Sequence, residues 1–308
     1  MSGKVGKSKH QIARRHHFIS EGYLAGFTNT GTSKGVLCAY DHLTQTFFKP
    51  KPKHVAFDID YNRIDSPNYP PDALETRLGQ FESHAIRELR KIITTGKLTS
   101  PEEFGWVCNL IALFAVKTPA IRSGSDAAQK QIVRKIMQLV VSSKGMYESQ
   151  ISAARAGGFL RPELDVPYES AKEFVTRGEY EISIPVERHI ITEHSVFDRI
   201  LPHLSQRHWS VMTAKGDAPD IITCDSSAPP QLGAERVVFP ISSRRALLGT
   251  KEAEAPEEFE IDTHKVAHLN SKMLSQSMKQ IYSRSSEITL LHEDKVMTAN
   301  ISRLPFSR

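Results

Sequence analysis

The sequence predicts an α+β fold: a helical N-terminal half with a small β-hairpin, and a C-terminal half with a mainly antiparallel sheet and a closing helix. Three observations carry this reading. Leu74, Leu78, Phe81, Ala85, Leu89 and Ile92 recur in steps of three and four, the period of an amphipathic helix. The stretch 101–117 is apolar almost all round, as a helix buried at the centre of its half would be. After Gly157-Gly158 the signals turn to β, with alternation in Glu179 to Val186 and short β-branched runs beyond it.

Taken in order, 16–27 reads as a short aromatic helix or turn plugging a core. Residues 36–41 read as a strand and Thr46–Lys49 as its hairpin partner. His54 to Tyr61 reads as a loop or short strand, on which Asp58 and Asp60 would share one face. Asp72 marks the start of the amphipathic helix and Gly96 its end. Ser100-Pro101-Glu102 starts the apolar helix, and a third helix is expected from Asp126 to Ser142. In the second half, 179–186, 209–213, 221–223 and 237–241 read as strands and Glu193–Ser205 as a short helix. An acidic connector, 252–262, leads to a last helix over 263–282. These elements suggest a basic tail (1–13), a mainly helical module (14–157) and an α+β module (158–308), the two modules sharing one composite core.

Composition narrows the function classes. Hydrophobic residues make up 39% and charged residues 24% of 308, which excludes a disordered, collagen-like or coiled-coil chain. The net charge of +5 is local: residues 1–17 hold five basic and no acidic side chains, and the remainder is balanced. A basic arm of this kind, or the run from Lys117 to Lys144 with six basic residues against Asp126 alone, would be where a nucleotide or nucleic acid is attracted. Cys38, Cys108 and Cys224 form no CxxC pair, and no apolar leader or membrane-length run is present. A soluble, cytoplasmic protein in a reducing compartment is expected, with no membrane partner.

Candidate site residues come from several patterns. His189 and His194, and His203 and His208, are spaced by five, which points ligands about 140° apart on a helix and suits surface or helix-end positions better than a metal pair. His17 is a general acid–base or phosphate-contacting candidate, or a hydrogen-bonded core histidine. Glu75 and Glu82 flank the apolar stripe of their helix; they suit a buried salt bridge to Arg122 or a similar cation, or a site acid. Cys224 reads as a nucleophile near His17 or as a small buried residue. Thr223 to Ser227 would line a pocket or cap a helix, and Arg244-Arg245 would clamp an anion or stay solvated. There is no GxSxG elbow, P-loop or GxGxxG.

The order of these elements resembles the bacterial family called domain of unknown function 4238. The resemblance rests on His17-Phe18-Ile19 followed by Tyr23-Leu24 and Phe27, then Ala39-Tyr40-Asp41, Pro52 to Ala56 and Asp60-Tyr61. It continues through Ala73-Leu74-Glu75, Phe81-Glu82, Thr118-Pro119 with Arg122, Ile222-Thr223 with Asp225, Phe239 to Ser242, and Leu269-Asn270. Ser20, Lys117, Cys224 and Ser226-Ser227 depart from its pattern. The resemblance implies one polar cluster of His17, Glu75 or Glu82, Arg122, Asp225 and Asn270; it implies no reaction.

Three functions follow as expectations. The first is a binding or sensing module for an anionic ligand such as a nucleotide, with Arg122, Asn270, Thr223, Arg244 and Tyr23 in binding roles. The second is a nuclease-like phosphodiesterase, serving for example in phage defence. There His17 would be acid or base, Glu82 and Asp225 would hold Mg²⁺ or Mn²⁺ or orient water, and Arg122 would stabilise the phosphate. The third is a structural component of a complex.

Overall fold

The computed structural model describes residues 12–161, 163–228, 234–253 and 255–303. Lys4, Lys7 and Lys9 of the expected basic tail lie outside them. The chain divides into two compact units: a larger one of residues 1–121 and 190–308, and a smaller one of residues 122–189. The architecture is α+β, with helices dominating the N-terminal half and antiparallel sheets the C-terminal half.

The larger unit opens with strand β1 (Arg15–His17), helix α1 (Glu21–Leu24) and a single 3₁₀ turn. Strands β2 (Cys38–Asp41), β3 (Thr46–Phe48) and β4 (Phe57–Ile59) follow, then helices α2 (Ala73–Thr95) and α3 (Pro101–Val116). Gly96 ends α2 at φ 75°, where a side chain would be strained. Ser100 caps α3 by accepting the N–H of Glu103, with Pro101 in the first helical position. Asp72 does precede α2, yet its carboxylate accepts the N–H of Ala13 rather than capping the helix.

Helix α4 (Pro119–Val140) runs into the smaller unit, which also holds α5 (Lys144–Ala156) and α6 (Tyr168–Arg177). α4 starts seven residues before the expected Asp126 and has no buried residue, leaving Ile132, Ile136 and Leu139 exposed. The Tyr147 hydroxyl donates to the Val166 carbonyl and the Tyr168 hydroxyl to that of Val141, tying α5 and α6 to their connections. Residues 179–185 are not the expected strand. Tyr180, Ile182 and Ile184 do alternate with exposed neighbours, but among the described residues no second strand supplies a hydrogen-bonding ladder.

Helix α7 (Val186–Ser205) returns the chain to the larger unit. It is followed by β5 (His208–Ala214), β6 (Thr223–Cys224), β7 (Arg236–Ser242), β8 (Arg245–Thr250), β9 (Glu258–Ile261), α8 (Thr263–Gln276), β10 (Gln280–Ser283), β11 (Glu287–His292) and β12 (Lys295–Asn300). One sheet has the order β3-β2-β10-β6 and is antiparallel; the other has the order β7-β8-β5-β9, with β5 and β9 parallel. The acidic connector therefore contains a strand, and the last helix stops at Gln276. Residues 280–283 leave it because two strands, β2 and β6, offer hydrogen bonds on both sides.

The β7-β8-β5-β9 sheet separates two cores. Trp209, Val211, Phe239 and Leu247 face α3 and the end of α7. Met212, Ala214, Ala246 and Ile261 face α8, β10 and β11. Among the described residues no single helix is long and apolar enough to cross a membrane, and α3 spends its apolar surface in the first core. Close packing reaches a limit at Gly249, where a Cβ would meet the Trp209 ring at 2.9 Å. Gly249→Ala is expected to destabilise the chain by about 1–3 kcal/mol in urea unfolding; an unchanged midpoint would show that the ring can give way.

Candidate functional site

Two adjoining residue pairs, His17-Phe18 and Lys117-Thr118, divide between a buried charged cluster and an open pocket. The cluster is built from β1, α2 and the end of α3. Lys117 is the C-cap of α3, so its ammonium sits where the helix dipole favours a cation. Its side chain is only 3% exposed, and it donates to Glu82 Oε1 at 3.3 Å. Burial drives the Glu82 carboxyl above its ordinary value, against the pull of Lys117. Burial likewise lowers the basicity of His17, with Glu21 and Glu75 opposing it. Glu75 accepts from the Asn62 amide at 2.8 Å. The Asn62 backbone N–H in turn donates to His16 Nδ1, and His16 Nε2 donates to the Ala13 carbonyl, which fixes the neutral tautomer of that ring. Thus His17, Glu75 and Glu82 share one environment, and the cation that Glu82 takes is Lys117, a partner the sequence reading did not name. Lys117 and Asn62 also line a smaller, otherwise mostly apolar cavity of about 190 Å³.

The open pocket measures about 440 Å³. Phe18, Phe48 and Phe57 supply aromatic wall, His54 and Lys279 basic groups, and Asp58, Thr118 and Asp225 oxygen. Asp225 Oδ1 accepts the N–H of Met278 at 2.9 Å and Oδ2 that of Gln280 at 3.0 Å. Burial still holds its carboxyl above the ordinary range, outweighing those backbone donors. Lys279 Nζ lies 3.6 Å from Asp41, and its side chain is 54% exposed.

The other candidates take structural positions. The Tyr23 hydroxyl meets Thr223 Oγ1 and the Pro240 carbonyl, both at 2.8 Å. Asn270 accepts from the Ile222 N–H and donates to the carbonyls of Asp220 and Thr289. Arg244 is half-buried: its guanidinium donates to the carbonyls of Ala214, Lys215 and Ala218 and lies 3.8 Å from Asp220. Cys224 is fully buried in β6, and burial pushes its thiol far up, so it is the small core residue and not a nucleophile. Arg122 belongs to the smaller unit, on α4. There His189 Nε2 lies 3.6 Å from Asp126; of the surface and helix-end positions expected, His189 takes a helix end, buried in the first turn of the helix that starts at Val186. Asp60 leaves β4 at φ 57° and pairs with Arg14 at 2.6 Å, so it does not share a strand face with Asp58. Glu82 and Asp225 have separate partners. Among the described residues no three His, Cys, Asp or Glu side chains group to hold a metal. Within the basic run, Lys117 is spent on Glu82, Lys130 on Asp126 and Lys144 on Glu148.

Removing one partner from a buried ion pair strands the other. Lys117→Met is expected to cost about 3–5 kcal/mol near neutral pH, and Lys117→Met/Glu82→Leu markedly less. With Lys117 gone, the Glu82 carboxyl rises further above its unfolded value. The folded state then binds a proton before the unfolded state does, so the deficit of the single variant should shrink as pH falls toward about 5. Urea unfolding at two pH values checks both; a deficit that grows on acidification would contradict the assignment.

Comparison with curated proteins and with solved structures returned no match. A family profile described as protein of unknown function (DUF4238) matches residues 15–287, a span that includes the cluster and the pocket. The chain belongs to the DUF4238 family.

Proposed function

We propose that the chain is a ligand-binding or sensing module whose pocket between Phe18, Thr118 and Asp225 takes a nucleotide-like molecule. One observation carries this reading: separate motif blocks of the sequence meet there, namely Phe18, His54 to Ala56, Thr118-Pro119 and Asp225. Its size falls within the range of small-molecule sites, about 300–1,000 Å³. The phenylalanines suit a planar ring, the Asp225 carboxylate a hydrogen-bond donor such as an exocyclic amine, and Lys279 with His54 an anionic group. The three cysteines are free and buried, in keeping with work in a reducing, cytoplasmic setting.

A phosphodiesterase reading draws on His17 Nε2, which is buried without a hydrogen-bond partner among the described residues. It has less support, because Glu82 is committed to Lys117 and does not line the pocket that Asp225 lines. A role as part of a complex draws on the exposed Ile132, Ile136 and Leu139.

A thermal-shift screen with nucleoside mono-, di- and triphosphates tests the first reading. A ligand at 100 times its Kd adds about 2.7 kcal/mol of stability and raises Tm. Lys279→Met should abolish the shift, measured against the variant's own ligand-free Tm, which falls slightly as the ion pair with Asp41 is lost. No shift with any nucleotide, or one indifferent to Lys279→Met, would overturn the reading.

A further inference from the structure

A second groove lies on the far side of the β7-β8-β5-β9 sheet. α8 covers that face only in part, leaving Val238, Leu248 and Phe259 half-buried. The strand registers set Val238 opposite Leu248 and Met212 opposite Phe259, so these side chains share one face. With Leu269 they floor a groove of about 470 Å³. Its walls are basic: Arg236 from β7, and His264, Lys265, His268 and Lys272 from α8. His264, His268 and Lys272 follow one another in steps of four and so stand along one side of the helix.

No carboxylate lines the groove among the described residues. On β9, Glu258 and Glu260 alternate with Phe259 and Ile261 and project from the opposite face. Asp262 is engaged in capping α8 through the Lys265 N–H. Apolar surface left half-wet beside charges of one sign is matched by a molecule that is both apolar and anionic. A polyanion would leave the floor unfilled, and a neutral chain would leave the rim unmatched.

We propose that this groove binds a single-chain amphiphilic anion, a medium- or long-chain carboxylate. Its chain lies on Val238, Leu248 and Phe259, and its head group meets Lys265 and Lys272. The site is separate from the Asp225 pocket and stands whether or not that pocket binds nucleotides.

Calorimetric titration of the full chain with decanoate, dodecanoate and tetradecanoate, each below its micelle threshold, tests it. Binding should be one to one and tighten by up to about fourfold per added methylene. Lys265→Glu/Lys272→Glu, at positions that carry no core packing, should weaken it about tenfold with an unchanged circular dichroism spectrum. Dodecanol should bind more weakly than dodecanoate. Absence of dodecanoate binding, affinity independent of chain length, or indifference to the charge reversal would overturn the proposal. Flotation with anionic phospholipid vesicles separates the two sources of such a ligand: retention on vesicles without binding of monomeric dodecanoate also overturns it, in favour of a membrane surface.

Discussion

The phenol of Tyr23 must be dry and hydrogen-bonded at once, and the larger unit is arranged to satisfy both demands. Its ring stacks on Phe239 at 5.3 Å and takes Phe114 edge-on at 5.2 Å, joining α1 to α3 and to the β7-β8-β5-β9 sheet. Its hydroxyl reaches Thr223 of the other sheet and the carbonyl of Pro240. A buried hydroxyl left unpaired costs about 1–3 kcal/mol. The two sheets and the central helix are thereby held to one geometry. Thr223 cannot shift without releasing Tyr23, and Asp225 follows Thr223 by two residues. The pocket wall inherits its position from a residue that does not line it.

The charged cluster obeys a related constraint. A lysine buried at the end of α3 is tolerable because a helix dipole and nearby carboxylates share the work of replacing water. An ammonium is a point charge on a flexible stem, whereas a guanidinium would impose a planar fork. At a site enclosed by α2, α3 and β1, the compact charge suits a single contact with Glu82. Burial thus sets proton affinity at Glu82, at His17, which adjoins the pocket residue Phe18, and at Asp225, which lines the pocket.

Helices α2 and α3 were legible because a 3.6 period and start and stop residues are local signals. The hairpin β2-β3 was legible for the same reason. Of the cluster that the family resemblance implied, His17, Glu75 and Glu82 lie together, while Asp225 and Asn270 have other partners. What escaped depended on distant partners. β10 reads as the tail of a helix by its own residues and becomes a strand because β2 and β6 flank it. The β11-β12 hairpin turns on Glu293-Asp294, both at positive φ, in place of the Asn-Gly pair that signals such a turn. Lys117 gave no signal beyond standing where an arginine was expected. Arg244 and Asn270 looked like ligand-binding groups because the sequence does not show the free carbonyls they tie together.

The central place of β10 bears on how the chain is made. β2 and β3 emerge early from synthesis, yet β2 gains its second neighbour only when residues 280–283 appear. Between the two events the chain must make all of residues 122–189, which form their own unit. A nascent chain therefore carries an open strand edge from the making of β2 until that of β10, and closing it needs a contact of very high sequence separation. Such closure is slow, and open edges are where chains cross-pair. Chains that stop between β2 and Gln280 are consequently the species most exposed to aggregation, and β10 acts as the clasp that ends that exposure.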